Sequence, residues 1–128
     1  MTHRFPVRVY YEDTDMAGVV YHANYLRYIE RARSDLVRGL GNDQNAMRRD
    51  GVVWVVRRIE CDYLATAQFD DALEVLTRIV SVSGARAVMD QSVCRGDTVI
   101  FTARVTVVCI NAAGRPVRLP AEIRATQR

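Results

Sequence analysis

The spacing of apolar residues changes in a fixed order along the chain. Residues 5–11, FPVRVYY, alternate as a strand does. EDTDMAG follows, a run of turn-forming residues. From Asn24 the period lengthens. Tyr25, Tyr28, Ile29, Ala32 and Leu36 recur at helical spacing, while Arg27, Glu30, Arg31, Ser34 and Arg38 take the opposite side. Arg31 and Asp35 stand four apart on this helix, and Glu30 and Arg33 three apart, the latter spaced as a structural pair. Gly39 or Gly41 supplies the left-handed residue that ends such a helix. A short second helix is expected over 42–49. Period two then dominates: 52–64, 72–82, 85–95 and 98–110 read as strands. Ser83-Gly84 and Gly96-Asp97 are tight-turn signals between them. In the last strand Val99, Phe101, Ala103, Val105, Val107 and Cys109 fall on one face, with Thr98, Thr102, Arg104 and Thr106 on the other. After Pro120 one more helical turn is expected.

This order predicts an α+β fold forming a single domain over 1–128. One long helix cannot cover both faces of five strands. The sheet is therefore expected to be antiparallel and to curl around the helix. The strands also carry more apolar residues than one helix buries, so a homo-oligomer is expected.

Composition narrows the function classes. The chain has 128 residues, 49% of them hydrophobic, enough for a core without disulfide staples. Every basic residue is arginine, and the formal net charge is only +3, too small to argue for nucleic acid. Cys61, Cys94 and Cys109 lie in apolar runs without metal-ligand spacing, which reads as buried thiols rather than disulfides or zinc ligands. Asp13, Asp15 and His22 lack the further ligands a metal cage needs, so no metal site is expected. No segment reads as a signal peptide or membrane span, and a cytoplasmic location is expected. The tripeptide Arg95-Gly96-Asp97 reads as a hairpin turn only.

The chemistry concentrates in YYEDTDMAGVVYHANY, residues 10–25. The first N–H groups of a helix lack partners and carry partial positive charge, which suits a polarised carbonyl oxygen. Asp13 and Asp15 precede that helix start on a loop with Gly18, and His22 and Asn24 stand at its mouth. A carboxylate facing such donors is half of a hydrolytic site. It either directs water as a base or attacks as a nucleophile. A thioester suits this apparatus. Its leaving group is a thiolate, the base of a thiol that ordinarily titrates near ~8.5, and needs little acid help.

The run Tyr11, Asp13-Thr14-Asp15, Gly18-Val19-Val20-Tyr21-His22, Asn24-Tyr25 and Glu30-Arg31-Ala32-Arg33 closely resembles the signature of the 4-hydroxybenzoyl-CoA thioesterase family. It is most similar to the Tol–Pal-associated, YbgC-like acyl-CoA thioesterases. The likeness extends to CDYLATAQFDDALEV (61–75) and GRPVRLPAEIRA (114–125). It implies a hotdog fold, a five-stranded antiparallel sheet wrapped around one long central helix, with homodimers assembling to homotetramers. It implies hydrolysis of an acyl-CoA thioester to a carboxylic acid and free coenzyme A, with no cofactor beyond the substrate. By resemblance Asp15 is the catalytic carboxylate, and the His22 backbone N–H binds the thioester oxygen while its ring positions water or substrate. Tyr21, Asn24 and Tyr25 are placed at the substrate. Arg57, Arg58, Ser83, Gly84 and Arg86 match regions that hold the coenzyme A nucleotide. Asp13 reads as a hydrogen-bonder that holds the loop. Tyr25, Tyr28, Ile29, Trp54 and Met47 read first as core. Two rival readings stand beside the hydrolase. One is a hotdog dehydratase using His22. The other is a non-catalytic acyl-CoA or acyl-carrier-protein binder that partners lipid-synthesis proteins.

Overall fold

The computed structural model describes residues 1–127. Strand β1 (His3–Arg8) leads into a 3-10 turn (Tyr11–Asp13) and helix α1 (His22–Gly39). Helix α2 (Gln44–Arg49) and strands β2 (Val53–Tyr63), β3 (Ala72–Ser83), β4 (Arg86–Arg95) and β5 (Thr98–Ile110) follow. Helix α3 (Ala121–Arg124) and a 3-10 turn (Ala125–Gln127) close the described chain. The strands form one antiparallel sheet in the order β1-β3-β4-β5-β2. Helix α1 lies against its β1, β3 and β4 side.

The expected stripe is the one that packs. Tyr25, Tyr28, Ile29, Ala32 and Leu36 are buried with Val75, Met89, Val93, Phe101 and Val105 of the sheet. Tyr25 stacks on Phe101 with ring centroids 5.1 Å apart and meets Tyr28 edge-on at 6.1 Å. Trp54 and Met47 are half-buried against this core. Beyond α1 the chain turns at Gly41, whose φ of 92° a side chain would oppose. Asn42 then joins three elements. Its amide nitrogen donates to Glu122 at 3.0 Å, and its oxygen accepts from the Trp54 indole at 3.0 Å.

Several local expectations change. The first strand stops at Arg8 instead of residue 11, because Asp13 claims the backbone beyond it. Its carboxylate accepts from Tyr10 N–H at 2.8 Å, and its own N–H donates to the Tyr10 carbonyl at 3.0 Å. The long helix begins two residues earlier than Asn24, at His22. In β5 the alternation breaks once. Val93 pairs with Phe101 and Cys94 with Val99, so Ile100 is an extra residue. Ile100 turns inward and Val99 outward, against the simple period-two expectation. The two helix pairs also differ from their spacing. Asp35 binds His3 Nε2 at 2.8 Å, and the Arg31 guanidinium lies 5.9 Å from the Tyr28 ring centre. Arg33 forms no ion pair with Glu30 among the described residues and instead donates to Gln91 Oε1 at 3.0 Å.

Gln91 is the polar tie between helix and sheet. Its residue is 1% exposed. Its amide nitrogen donates to the Ile29 carbonyl and to Thr77 Oγ1, each at 2.9 Å. Both of its N–H donors and its oxygen thus have a partner within the chain. The opposite face of the sheet is charged. Arg78, Asp90, Arg104 and Glu60 stand in register across four strands. Arg104 grips Asp90 with two bonds of 2.8 and 2.9 Å, which holds the Asp90 carboxyl below its ordinary range. The two sheet edges differ. Strand β1 is short and carries Pro6, whereas β2 is long and leaves Val53, Val55 and Val56 exposed.

Replacing Gln91 by Leu leaves Arg33 and Thr77 without that partner. The expected cost is about 1–3 kcal/mol in urea denaturation. A loss below about 0.5 kcal/mol would show that the tie contributes no more than an ordinary surface contact. Burial pushes the Cys109 thiol up to about 11. At pH 8 only on the order of 0.1% of it is thiolate. Cys109 should therefore resist iodoacetamide in the folded protein and react after denaturation. Equal labelling in both states, read by mass spectrometry, would contradict its placement.

Candidate active site

Residues 13–21 fold back on themselves before entering α1. Thr14 and Val20 form an isolated bridge, Asp15 N–H donates to Val19 O at 2.9 Å, and Gly18 N–H donates to Asp15 O at 3.0 Å. Gly18 closes this loop with a φ of 81°, a conformation that glycine adopts without steric cost. The loop is fixed on its outer side by a Val20 N–H bond to Ala67 O at 2.8 Å.

Asp13 and Asp15 differ in exposure and in partners. Asp13 is buried and faces inward, as its loop-holding role requires. Asp15 is exposed. Its Oδ1 accepts from the Ala17 N–H at 2.9 Å, which orients the carboxylate and leaves Oδ2 open. Beneath the loop lies the Tyr28 phenol, whose pKa burial raises first and the nearby Asp13 charge raises further.

The start of α1 is uncapped. Tyr21 occupies the cap position, its side chain makes no capping bond, and the first turn holds no acidic residue. Tyr21 N–H is spent on the Asp13 carbonyl at 2.8 Å. Among the described residues the N–H groups of His22 and Ala23 have no acceptor within the chain. The positive end of an 18-residue helix therefore opens at the end of the loop that carries the exposed Asp15.

Aromatic rings frame this mouth. The His22 ring lies 4.5 Å from the Tyr21 ring and 6.3 Å from Tyr63. Tyr63 was not singled out from sequence, yet its hydroxyl donates to the His22 carbonyl at 2.9 Å. Its ring also meets Tyr25 and Phe101 at 5.6 and 5.0 Å. Its place at the end of a strand, on the helix-facing parity of Ile59 and Cys61, was the available signal. Burial raises the Tyr63 phenol above its ordinary range, and Cys61 adds to this. Tyr25 is nearly fully buried, and burial likewise raises its phenol. Asn24 is also buried, with both side-chain polar atoms engaged inside the chain.

The structure thus gathers Asp15, Tyr21, His22, Asn24 and Tyr25 at one helix end. Arg57, Arg58, Ser83, Gly84 and Arg86 form a second group. Arg57 is the extra residue where β2 slips against β5. Arg58, across from Thr106, and Arg86, across from Val108, share the outer face of the sheet. Ser83 pairs with Arg86 across the turn, and Gly84 adopts a φ of 58° there. Arg58 stands five residues from Tyr63, about 17 Å along the strand. Arg58 is partly engaged by Glu60 at 3.3 Å.

A cavity of about 250 Å³ opens farther along α1, lined by Glu30, Arg33, Val37, Trp54, Val56 and Met89 among others. Burial lowers the Arg33 pKa there, and the Glu30 charge opposes the shift. Among the described residues no cluster of three His, Cys, Asp or Glu side chains is arranged to hold a metal ion. No helix among them is long and apolar enough to cross a membrane.

Residues 9–127 match the thioesterase-like superfamily. The chain is 43% identical over 124 residues to the acyl-CoA thioester hydrolase YbgC of Escherichia coli, covering 95% of this chain and 92% of that protein. It is 41% identical over 123 residues to the acyl-CoA thioesterase YbgC of Haemophilus influenzae, covering 94% and 90% respectively. The crystal structure of a probable thioesterase from Bartonella henselae superposes with a TM-score of 0.89 at 40% identity, covering 94% of this chain and all of that one. With its antiparallel sheet and packed helix in the same arrangement, the chain belongs to the thioesterase-like superfamily of hotdog proteins.

Proposed function

We propose that this protein hydrolyses acyl-CoA thioesters to a carboxylic acid and free coenzyme A. The observation that carries this reading is the exposed Asp15 carboxylate on a hydrogen-bonded loop that leads directly into the uncapped start of α1. In this reading the thioester oxygen lies at the N–H groups of His22 and Ala23. Asp15 takes a proton from water through the oxygen that Ala17 leaves free. The water oxygen bonds to the carbonyl carbon, the developing negative charge falls on the oxygen at the helix start, and collapse breaks the carbon–sulfur bond. The thiolate departs and takes up a proton. Water is the co-substrate, and no metal or redox cofactor enters.

The His22 ring, between Tyr21 and Tyr63, positions water or substrate. Arg57, Arg58 and Arg86, with the Ser83-Gly84 turn, hold the phosphates. Arg57 and Arg58 lie far along β2 from Tyr63, which suits a long ligand with sulfur at one end and phosphates at the other. The cavity beside Trp54 and Met89 suits the acyl group. The free, apolar edge of β2 supports a homodimer built along that strand, with pairing of dimers into a tetramer. As the resemblance of its motif implies, we also propose a cytoplasmic enzyme in the Tol–Pal setting, with an acyl-carrier or lipid-synthesis partner.

A panel of acyl-CoAs assayed for free thiol tests the reading. Asp15→Asn should lower kcat about 10²- to 10⁴-fold. Its stability should change by no more than about 0.5 kcal/mol, because Asn retains an acceptor for Ala17 N–H. His22→Ala should lose less. Wild-type rates in Asp15→Asn would defeat the assignment. Loss in His22→Ala alone would favour the dehydratase. Tight binding without cleavage of any acyl-CoA would favour the binder.

A further inference from the structure

Asn24 lies at the mouth of the site, where a substrate ligand is expected, but its polar atoms face the protein. The residue is 3% exposed. Its Nδ2 donates to the Asp13 carbonyl at 2.8 Å, and its Oδ1 accepts from Arg27 Nη1 at 2.8 Å. The orientation of the amide is chemically forced. A guanidinium only donates and a carbonyl only accepts, so a flipped amide would lose both bonds.

The Asp13 carbonyl is the point where loop meets helix. It accepts from Asn24 Nδ2 and also from Tyr21 N–H, each at 2.8 Å. One bond comes from the side chain of the first helical turn and the other from the backbone of the cap. Together they fix the peptide that begins Asp13-Thr14-Asp15 against the helix start. Among the described residues, the Asp15 side chain has no other tie than the Ala17 N–H within the same loop. Its placement relative to the helix follows from the loop backbone, held by the two bonds onto the Asp13 carbonyl together with the Asp15 N–H bond to Val19 O and the Thr14–Val20 bridge.

We propose that Asn24, oriented by Arg27, is a positioning residue that sets the distance between the Asp15 carboxylate and the N–H groups at the start of α1. This rests on the hydrolytic reading of Asp15 and goes beyond it. Asn24 touches no substrate. It acts on the reaction through Asp15, and Arg27 acts through Asn24. The Arg27 side chain, on an exposed residue, thereby affects turnover without meeting the reacting atoms.

A double-mutant cycle tests this, with single-turnover rates measured for a cleaved acyl-CoA. Asn24→Ala should lower kcat about 10- to 100-fold with KM little changed, the scale of a catalytic group displaced by a fraction of its contact distance. In the Asp15→Asn background the same substitution should change the residual rate less than about two-fold, because no carboxylate is left to position. Arg27→Met, on the exposed side of the helix, should repeat the pattern with a smaller fall. It carries the test if Asn24→Ala does not fold. Equal falls with and without the Asp15 carboxylate would overturn the proposal and show a structural role. A rise in KM at constant kcat would also overturn it, by making Asn24 a substrate ligand. If Asp15→Asn alone keeps the wild-type rate, both the hydrolytic reading and this inference fall. Additivity beside a dead Asp15→Asn protein removes only the inference.

Discussion

Two hydrogen bonds onto one carbonyl oxygen, that of Asp13, tie the acidic loop to the start of α1, where the proposed chemistry lies. Tyr21 N–H and Asn24 Nδ2 both donate to it. With the Asp15 N–H bond to Val19 O and the Thr14–Val20 bridge, they join the acidic loop to the positive end of α1. Asp13 does this as a buried residue whose own carboxylate is spent on Tyr10 N–H. The other aspartate of the pair is thereby left outward and free on one oxygen. Two identical side chains, two residues apart, thus sit in opposite surroundings, one facing the core and the other facing water.

The rest of the fold holds the helix that this clasp engages. Gln91 fastens the Ile29 carbonyl to the sheet, and the stripe of Tyr25, Tyr28, Ile29, Ala32 and Leu36 fills the sheet's inner face. A helix free to slide by a fraction of a turn would carry its N–H groups away from the loop. The tight aromatic stack of Tyr25 on Phe101, next to the site, resists that motion. Tyr63 adds a bond from the sheet to the first helical carbonyl, at His22. Packing and polar ties converge on the same end of the same helix.

How much of this the sequence disclosed depends on the range of the interactions involved. The helical stripe was legible because its period is local and its residues large. So were the strand alternation and the turns at Ser83-Gly84 and Gly96-Asp97. The inward turn of Ile100 was not, because a bulge arises from pairing between two strands and leaves no mark in the spacing of one. The first strand's early end was hidden for a similar reason. Tyr10 and Tyr11 favour strand by propensity, and the Asp13 carboxylate overrides them. The candidate residues from Asp15 to Tyr25 could be read together because they are neighbours in sequence. Tyr63, 41 residues from His22, was missed. The pairing of Glu30 with Arg33 that their spacing suggests gave way to Gln91, which only the folded sheet brings near.

The central claim is spatial: a carboxylate on one side of a thioester carbon and the helix start on the other. A crystal structure of the Asp15→Asn protein with an uncleaved acyl-CoA examines it directly. The account predicts the thioester oxygen within about 3 Å of the His22 or Ala23 nitrogen. The side chain at position 15 should then face the carbonyl carbon from the opposite side. A thioester seated away from the helix start, with that side chain turned to solvent, would contradict it.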